Sequence, residues 1–330
     1  MLFLGLVSTL LLSWQTQVSP ENPRQELKRR LAAYAARDQK DPAALRPIAQ
    51  LALEAVATAP TFEVWIEACS SPYVPERSGC RDALWRTLKQ QDAPLLQRVR
   101  SGAALIRRGD KSAVSLVAQL VPKLTNRELA SVASAVALLP ASTAAPVLLR
   151  LLGSQEVADK TAACRALGAV DIAEVRAALQ SVVAQSPPSL QPWNACQVAR
   201  ARLKEPDSMA TISGYSRYME GEDLLHAANV MLDIGNEQGV FLLRRLTRDA
   251  PSIVQLRAAE RLAATDPDAA ARIVDAKIND PDPRVRAHAL VVERELKRPS
   301  DAALSKLLDK DELVQVRAAE AVLARTSHAQ

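Results

Sequence analysis

The chain has 330 residues, of which 48% are hydrophobic and 3% aromatic, and its net charge is +5. This composition is too apolar for a disordered chain, and the scarcity of aromatic and β-branched runs and of Asn-Gly turns argues against a substantial sheet. A net charge of this size bears on solubility and non-specific association, and it specifies no function by itself.

The first twelve residues, MLFLGLVSTLLL, form an apolar run of the length found in secretory signal peptides. A membrane-spanning helix requires about 20 apolar residues, which is more than this run supplies. No Lys or Arg precedes the run and no Ala-x-Ala-like site follows it, so the cleavage position stays open between Ser13 and Ser19. We predict a signal peptide within residues 1–19, and therefore a periplasmic or secreted protein. A buried first helix and an uncleaved anchor are the alternatives.

Residues 20–330 read as one array of helices separated by short breaks, irregular before residue 92 and again at 206–222. The predicted helix pairs are 24–40 with 42–58, 61–70 with 76–91, 93–108 with 111–124, 126–139 with 143–152, 156–169 with 171–185, 222–234 with 237–248, 252–264 with 267–278, and 284–297 with 301–309. A further pair starts near residue 190. Residues 312–325 are predicted to form a last, lone helix whose polar tail TSHAQ marks a terminal capping unit.

An even number of cysteines favours disulfide pairing in an oxidising compartment, although four cysteines allow three pairings. Cys69 and Cys80 flank a proline-containing loop, while Cys164 and Cys196 lie 32 residues apart, close to one repeat period. We predict the pairs Cys69–Cys80 and Cys164–Cys196, with four buried free thiols as the alternative. The chain has no Cys-x-x-Cys motif, which argues against zinc binding and thioredoxin-type chemistry.

The segment 206–222, PDSMATISGYSRYMEGE, departs from the repeat because Gly214 and Gly221 are expected to interrupt its helix. Its side chains Tyr215, Arg217 and Tyr218 belong to types that are enriched at binding hot spots. Departures from a repeat can mark binding loops, so we predict partner contacts at these three residues and at Tyr73 in the loop between Cys69 and Cys80. The alternative is a degenerate hairpin whose tyrosines cover the core.

Three stretches near the C-terminus repeat one another: SIVQLRAAERLAATD from residue 252, DPDPRVRAHALVVEREL from 280 and DELVQVRAAEAVLAR from 311. Their arginines Arg257, Arg286 and Arg317 are spaced by 29 and 31 residues, and a period near 30 is typical of stacked helical hairpins. The turn, aliphatic residue, arginine and alanine-rich face resemble HEAT repeats, in particular the short bacterial type also seen in phycobilin-lyase-like proteins. This resemblance implies an all-α superhelix, or α-solenoid, of stacked antiparallel helical hairpins.

The same resemblance implies a structural role for the three repeat arginines. In HEAT-like arrays such an arginine commonly bonds to an aspartate or carbonyl of the neighbouring turn. Arg257, Arg286 and Arg317 are therefore expected to form a ladder with turn aspartates, represented by Asp249, Asp280 and Asp311.

No catalytic, metal-binding or cofactor-binding constellation emerges from the sequence. The histidines His226, His288 and His328 stand apart, and none is followed by glutamate. Deoxyhypusine hydroxylase, a HEAT-like enzyme, carries its iron on His-Glu pairs, so this chain departs from that pattern. No phosphate-binding glycine loop or Gly-x-Ser-x-Gly motif is present. We therefore predict that the protein is not an enzyme.

Two functions remain after these exclusions. The first is a scaffold that binds a protein partner along its concave face or at its irregular loops. The second is an electrostatic binder of an anionic polymer or membrane surface, which would use the basic N-terminal two thirds and mainly residues 24–127. The basic residues considered for it are Arg98, Arg100, Arg107, Arg108, Lys111 and Lys123. Nucleic acid is the less favoured polymer because aromatic platforms for stacking bases are nearly absent.

Overall fold

The computed structural model describes residues 23–36, 42–56, 61–74, 79–188, 190–296 and 301–326. Within these ranges every regular element is a helix, which confirms the predicted all-α class. The predicted signal peptide at 1–19 and residues 327–330 of the polar tail lie outside the described residues. None of the described helices is both long enough and apolar enough to cross a bilayer.

Nineteen α-helices follow one another along the described ranges. They are α1 Pro23–Ala35, α2 Leu45–Val56, α3 Phe62–Ser70, α4 Cys80–Lys89, α5 Leu95–Arg107, α6 Val114–Leu120, α7 Asn126–Val136, α8 Ala141–Leu152, α9 Val157–Leu167, α10 Ala173–Gln185, α11 Trp193–Arg202, α12 Ser208–Tyr215, α13 Gly221–Asp233, α14 Gln238–Asp249, α15 Ser252–Leu262, α16 Pro267–Lys277, α17 Pro283–Leu296, α18 Asp301–Lys306 and α19 Glu312–Thr326. Short 3-10 turns lie at Pro42–Ala44, Lys111–Ala113, Val121–Lys123 and Ser216–Tyr218.

The helices form two layers of a solenoid. The odd-numbered helices from α3 to α19 make the inner layer, in which each helix packs against the next. The even-numbered helices from α4 to α18 make the outer layer and pack mainly against inner helices, with few contacts among themselves. Such spreading of one layer is expected on the convex side of a curved array. Stacking buries the apolar stripe that a single hairpin leaves exposed.

The array closes on itself through α19. This helix packs against α17 and α18 on one side and against α2 and α3 on the other, so the last inner helix meets the first. Ion pairs join the two ends of the chain: Arg24 Nη2 lies 2.8 Å from Glu312 Oε1, and Arg317 bonds to Glu67. Eleven residues of α19 are buried. The prediction of a lone capping helix is therefore wrong, because a helix that is apolar on most sides is an interior element.

The hydrophobic core reflects this closure. The larger cluster of buried side chains includes Leu53 of α2, Leu148 of α8 and Val316 of α19, so both ends of the array share it. A second cluster occupies α11 to α15 and includes Leu225 and Leu243. The closing contact is thus part of the main core and buries apolar surface in the same way as contacts within the array.

Local sequence signals explain where individual helices begin and how closely they approach. At α7, Thr125 and Glu128 form a reciprocal capping box. At α16, the Asp266 side chain accepts a hydrogen bond from the Ala269 backbone N–H. Gly239 allows α14 to approach α13 closely, because a Cβ at this position would lie 2.7 Å from the Ala228 carbonyl oxygen.

The segment 206–222 is more helical than its sequence predicts. It contains α12 and the 3-10 turn Ser216–Tyr218, and Gly214 lies inside α12. The expectation that Gly214 interrupts the helix is therefore wrong. Gly221 begins α13 with a φ of +50°, a backbone conformation that favours glycine.

Candidate functional site

Two open grooves lie on the inner face and meet at the closing contact. The first, named here the α15–α19 groove, has a volume of about 620 Å³ and is lined by residues that include Glu260, Arg284, His288, Arg294 and Arg317. The second, the α3–α7 groove, has a volume of about 350 Å³ and is lined by residues that include Glu63, Glu67, Arg100, Arg107 and Ser134. Leu313 of α19 lines both, so the closure of the array makes them neighbours.

The repeat arginines do not occupy one equivalent position. Arg286 donates hydrogen bonds to the Asp280 and Pro281 carbonyls and pairs with Asp309, both side chains being almost fully buried. The residues in the corresponding role are Gln255, which donates to the Arg248 carbonyl, and Gln315, which donates to the Asp309 carbonyl. The structural ladder toward the turns therefore consists of Gln255, Arg286 and Gln315.

Arg257 and Arg317 lie on the inner face, where their structural counterpart in α17 is His288. Arg257 bonds to Glu222 of α13, and Arg317 bonds to Glu67 of α3 and Glu320 of its own helix. The predicted ladder of repeat arginines with turn aspartates is therefore wrong for these two residues. The prediction failed because the register of α17 differs by two residues. Its arginine lies two positions earlier along the helix than the arginines of α15 and α19 do.

Ion pairs line the inner face from α15 to α19 and across to α3. Glu320 of α19 accepts from Arg317 at 2.8 Å and lies 3.6 Å from Arg294 Nη1, and its side chain is only 3% exposed. His288 Nε2 lies 3.4 Å from Glu260 Oε2, and the His288 side chain is the main reason why the pKa of Glu260 is below its ordinary value. Burial alone would lower the pKa of Arg317, but Glu320 and Glu67 raise it. Glu260 and Arg317 are therefore charged at neutral pH.

A polar cluster on α9, α11 and α13 centres on Asp223 and was missed by the sequence analysis. The Asp223 carboxylate accepts hydrogen bonds from the side-chain amides of Asn194, at 3.0 Å, and Gln191. It also lies 3.4 Å from Nη2 of Arg165. Burial, followed by the charges of Arg165 and of two further arginines, lowers the pKa of the neighbouring His226 to about 4. His226 is therefore neutral at physiological pH. The cavity beside the cluster has a volume of about 10 Å³, which is room for a single water molecule.

Sequence signals for this cluster are weak because its members come from three separate helices. The paired acids Glu222 and Asp223 at the first turn of α13 are the one local sign, since acidic residues suit a helix N-terminus. The sequence analysis placed Glu222 at the boundary between the irregular segment 206–222 and the predicted helix 222–234, and gave neither acid a role. The structure instead makes it a junction, because Glu222 bonds to α15 and Asp223 to α9 and α11.

The tyrosine-bearing segment splits into a packed part and an exposed part. Tyr215 is partly buried and makes an edge-on contact with Trp193, with ring centroids 4.9 Å apart. Tyr218 is 59% exposed, and the Arg217 guanidinium carbon lies 4.7 Å from its ring centroid. The structure therefore leaves Arg217 and Tyr218 accessible as candidate contacts, whereas much of Tyr215 covers the second core cluster.

The structure pairs the four cysteines as predicted. Cys69 joins Cys80 with a Cα–Cα distance of 5.2 Å, and Cys164 joins Cys196 with a Cα–Cα distance of 4.8 Å. The second disulfide links the inner helices α9 and α11 of adjacent repeats. Tyr73, between the first two cysteines, is partly buried against the main core, and residues 75–78 of this loop lie outside the described residues. Two disulfide pairs fit an oxidising, exported location.

Several residues considered for anion binding have structural partners. Arg108 donates to the Cys69 and Ser71 carbonyls, and Arg98 donates to the Leu88 carbonyl. Arg100 and Arg107 line the α3–α7 groove on the inner face. Among the described residues no group of three or more His, Cys, Asp or Glu side chains has a metal-binding arrangement.

Comparison with known proteins assigns neither a family nor a function to the chain. No protein-family model matches the chain, and no curated protein sequence matches it. Human deoxyhypusine hydroxylase in complex with glycerol, a helical solenoid of the HEAT-repeat type, is 20% identical and gives a TM-score of 0.41 over 75% of this chain and 96% of its own. An engineered protein from a structural genomics programme is 19% identical and gives a TM-score of 0.29 over 91% of this chain and 77% of its own.

One prediction is corrected by this comparison. The sequence analysis predicted that the protein is not an enzyme, yet a structure similar to it, deoxyhypusine hydroxylase, is one. The absence of recognisable motifs therefore does not exclude an enzymatic activity. At this level of similarity the comparison assigns no activity to the chain either.

Proposed function

We propose that this protein is an exported member of the HEAT-repeat family that binds a protein partner along its inner, concave face. The observation that carries the proposal is the pair of neighbouring grooves at the closing contact, which combine arginine, glutamate and aliphatic side chains. Arginine is enriched in protein interfaces, and solenoids use their concave surfaces for binding. The exposed pair Arg217 and Tyr218 is the second candidate contact.

Export rests on two independent features. The apolar run at residues 1–12 has signal-peptide length, and both cysteine pairs are at disulfide distance. We propose a signal peptide within residues 1–19 and a periplasmic or secreted scaffold. Mass spectrometry of the natural protein tests this proposal, which requires an N-terminus beyond Ser13 and four oxidised cysteines. An intact Met1 with free thiols contradicts it.

The alternative is electrostatic binding of an anionic polymer or membrane surface through the basic N-terminal two thirds. Lys111 and Lys123 are the members of the considered set that lie outside the inner grooves and donate no hydrogen bond to a carbonyl of an adjacent repeat. Because Arg98 and Arg108 are engaged with carbonyls, this surface offers fewer available charges than the sequence suggests. The protein-binding proposal is therefore preferred.

A matched pair of variants tests the proposal. Ser134→Arg adds a long side chain in the α3–α7 groove, whereas Ser181→Arg adds the same side chain to the exposed surface of the outer helix α10. Bait protein is incubated with the exported fraction of its natural source and washed at about 1 M salt, where the Debye length is ~3 Å.

The proposal requires one protein partner that survives the wash, is retained by Ser181→Arg and is lost with Ser134→Arg. Equal retention by both variants places the interface elsewhere and contradicts the proposal. Binding only to an anionic matrix, lost with rising salt, supports the alternative.

A further inference from the structure

We propose that a groove between α3, α4 and α5 binds a neutral oligosaccharide built of pyranose rings. This groove, named here the aromatic groove, has a volume of about 470 Å³, within the range of about 300–1,000 Å³ that is typical of sites for small organic ligands. Its lining residues are Thr61, Phe62, Trp65, Thr87, Gln90, Asp92, Ala93, Pro94 and Gln97. None of these residues lines either inner-face groove, so the site is separate from the proposed protein-binding surface.

Two aromatic side chains form the apolar wall of the aromatic groove. Phe62 and Trp65 lie three residues apart on α3 and therefore on one side of the helix. Their ring centroids are 5.6 Å apart and their planes are inclined by 43°, so they make one bent surface rather than a closed stack. Both side chains are partly buried against the main core, and both line the groove. The groove therefore presents aromatic surface to a ligand.

The polar wall contains side chains that have no partner within the described part of the protein. Thr61 precedes α3, but its hydroxyl does not cap the helix. The side chains of Gln90, Asp92 and Gln97 form no hydrogen bond or ion pair with any other described residue. Hydroxyl, amide and carboxylate groups are thus available to a ligand beside the aromatic rings.

A pyranose ring is complementary to both walls. Its C–H groups carry a slight positive charge and pack against the negative face of an aromatic ring. Each of its hydroxyls both donates and accepts hydrogen bonds, so a sugar needs donors and acceptors together. The amides of Gln90 and Gln97 supply both, and the Asp92 carboxylate supplies acceptors. A sugar can therefore use the aromatic surface and the available polar groups at the same time.

The charge and the hydrogen-bonding groups of the aromatic groove disfavour two other classes of ligand. A nucleic acid needs basic residues for its phosphates, but no Arg or Lys of the described ranges lines the groove, and Asp92 would repel a polyanion. A proline-rich peptide suits aromatic-lined grooves, but its prolines have no N–H to donate to the Asp92 carboxylate. A neutral oligosaccharide fits better than either.

Contacts outside the aromatic groove hold its walls in place. Arg98 of α5 donates a hydrogen bond of 3.1 Å to the Leu88 carbonyl oxygen near the end of α4. The disulfide Cys69–Cys80 joins the end of α3 to the start of α4. A site that is already formed loses less conformational entropy on binding. We therefore expect the sugar to bind without a change of the backbone.

Isothermal titration calorimetry of the natural, oxidised protein tests the proposal. The probes are neutral tetrasaccharides of β-1,4-linked glucose, β-1,4-linked N-acetylglucosamine and α-1,4-linked glucose. A decaproline peptide and an eight-nucleotide single-stranded DNA are the comparison ligands. The proposal requires at least one tetrasaccharide to bind more tightly than both comparison ligands. Failure of all three tetrasaccharides to bind, or tighter binding of decaproline or DNA, overturns it.

Aromatic substitutions then locate the bound sugar. Trp65→Ala should weaken the best-binding tetrasaccharide at least about tenfold, because it removes the larger aromatic face, whereas Trp65→Phe retains a ring and should weaken it less. Phe241→Ala, on the outer helix α14, removes a ring that is 65% exposed and should leave the affinity unchanged. Circular dichroism melting verifies that each variant folds.

A polar pair of variants provides a second test that leaves the core intact. Asp92→Ala removes the exposed carboxylate of the aromatic groove, whereas Asp82→Ala removes an exposed carboxylate of α4 outside it. We expect Asp92→Ala to weaken the tetrasaccharide about tenfold, the effect of losing a hydrogen bond to a charged group, and Asp82→Ala to have no effect. Equal affinity of Asp92→Ala and Asp82→Ala, or of folded Trp65→Ala and Phe241→Ala, places the sugar elsewhere and overturns the proposal. If Trp65→Ala does not fold, the aspartate pair decides.

Discussion

The closing contact at α19 and the polar cluster at α13 join neighbouring repeats by different physical means. At the closing contact, α19 buries Val316 and other apolar side chains against the first repeats, and ion pairs such as Arg24–Glu312 lie at the edge. At the polar cluster, the partly buried Asp223 connects three inner helices through hydrogen bonds and an ion pair. The first contact consists mainly of non-directional apolar burial, with the Arg317–Glu67 ion pair beside it, whereas the second depends on individual donors and acceptors.

This difference implies that the two regions respond to different perturbations. The closing contact should tolerate changes of its exposed edge charges, and it should fail when a charge enters its core. The polar cluster should be sensitive to the removal of a single acceptor and to acid, because its neighbouring histidine is neutral in the folded state. The predictions below test this contrast in order of decreasing effect.

A charge inside the closing contact should have the largest effect. Val316 is fully buried in α19, so Val316→Asp places a carboxylate inside the apolar core. We expect a loss of at least about 4 kcal/mol in the free energy of unfolding, measured by urea denaturation. Leu308→Asp, at a position 41% exposed, is the control and should have little effect. Equal unfolding midpoints for both variants would show that α19 is not interior.

Removal of the acceptor in the polar cluster should cost less. Asp223→Ala leaves Arg165, Gln191 and Asn194 without their shared carboxylate. We expect a loss of about 2 kcal/mol in the free energy of unfolding, because the buried Asn194 and the partly buried Gln191 and Arg165 lose a shared acceptor. Asp223→Asn retains one carbonyl oxygen as an acceptor and should cost less than Asp223→Ala. If the two substitutions are equally harmless, the cluster does not hold the helices together.

The stability of the fold should decrease in acid because of His226. Its pKa is about 4 in the folded protein, against 6.5 for the free side chain, mainly because of burial. As the pH falls from 6.5 to 4, the unfolded chain binds a proton that the folded chain does not, so stability falls. Allowing for partial exposure, we expect a loss of about 2 to 3 kcal/mol over this window.

His226→Gln should remove most of this pH dependence, since glutamine does not titrate. Urea denaturation at several pH values measures the difference between the variant and the wild type. Identical slopes between pH 6.5 and 4 would mean that another group causes the acid sensitivity.

The edge of the closing contact should matter least. The Arg24 side chain is 53% exposed and that of its partner Glu312 is 25% exposed. An exposed ion pair contributes about 0 to 1 kcal/mol, so Arg24→Ala should change the free energy of unfolding by less than about 1 kcal/mol. A loss comparable to that of Val316→Asp would show that charges, and not apolar burial, close the array.

The fold was largely predictable because its signals are local and repetitive. The near-30-residue period, the alanine-rich faces and the proline and aspartate breaks specify helical hairpins without reference to distant residues. Both disulfides followed from the loop at Cys69–Cys80 and from the repeat-sized spacing of Cys164 and Cys196. The closure was harder to foresee, although the nearly continuous apolar stretch LVQVRAAEAVLA of α19 was a sign that the helix is buried on several sides.

The inner-face sites were not predictable, because they depend on register and on distant pairs. Aligning the repeats on Arg257, Arg286 and Arg317 misplaces α17 by two residues, and only the packing shows that His288 takes the inner position. Arg317 and Glu67 are 250 residues apart, so no local pattern relates them. The same holds for Asp223 and Arg165, which meet across three repeats.

The closure of the array is the central claim, and a distance between its two ends tests it most directly. Arg24 and Glu312 side chains lie 2.8 Å apart, and all four native cysteines are in disulfides, so spin labels on Arg24→Cys and Glu312→Cys would report only this pair. Because packed helices lie about 8–10 Å apart, pulsed electron paramagnetic resonance should give a label distance of about 20 Å or less. An open stack of nine hairpins would separate its ends by several such spacings, so a distance above about 40 Å would contradict the closed array.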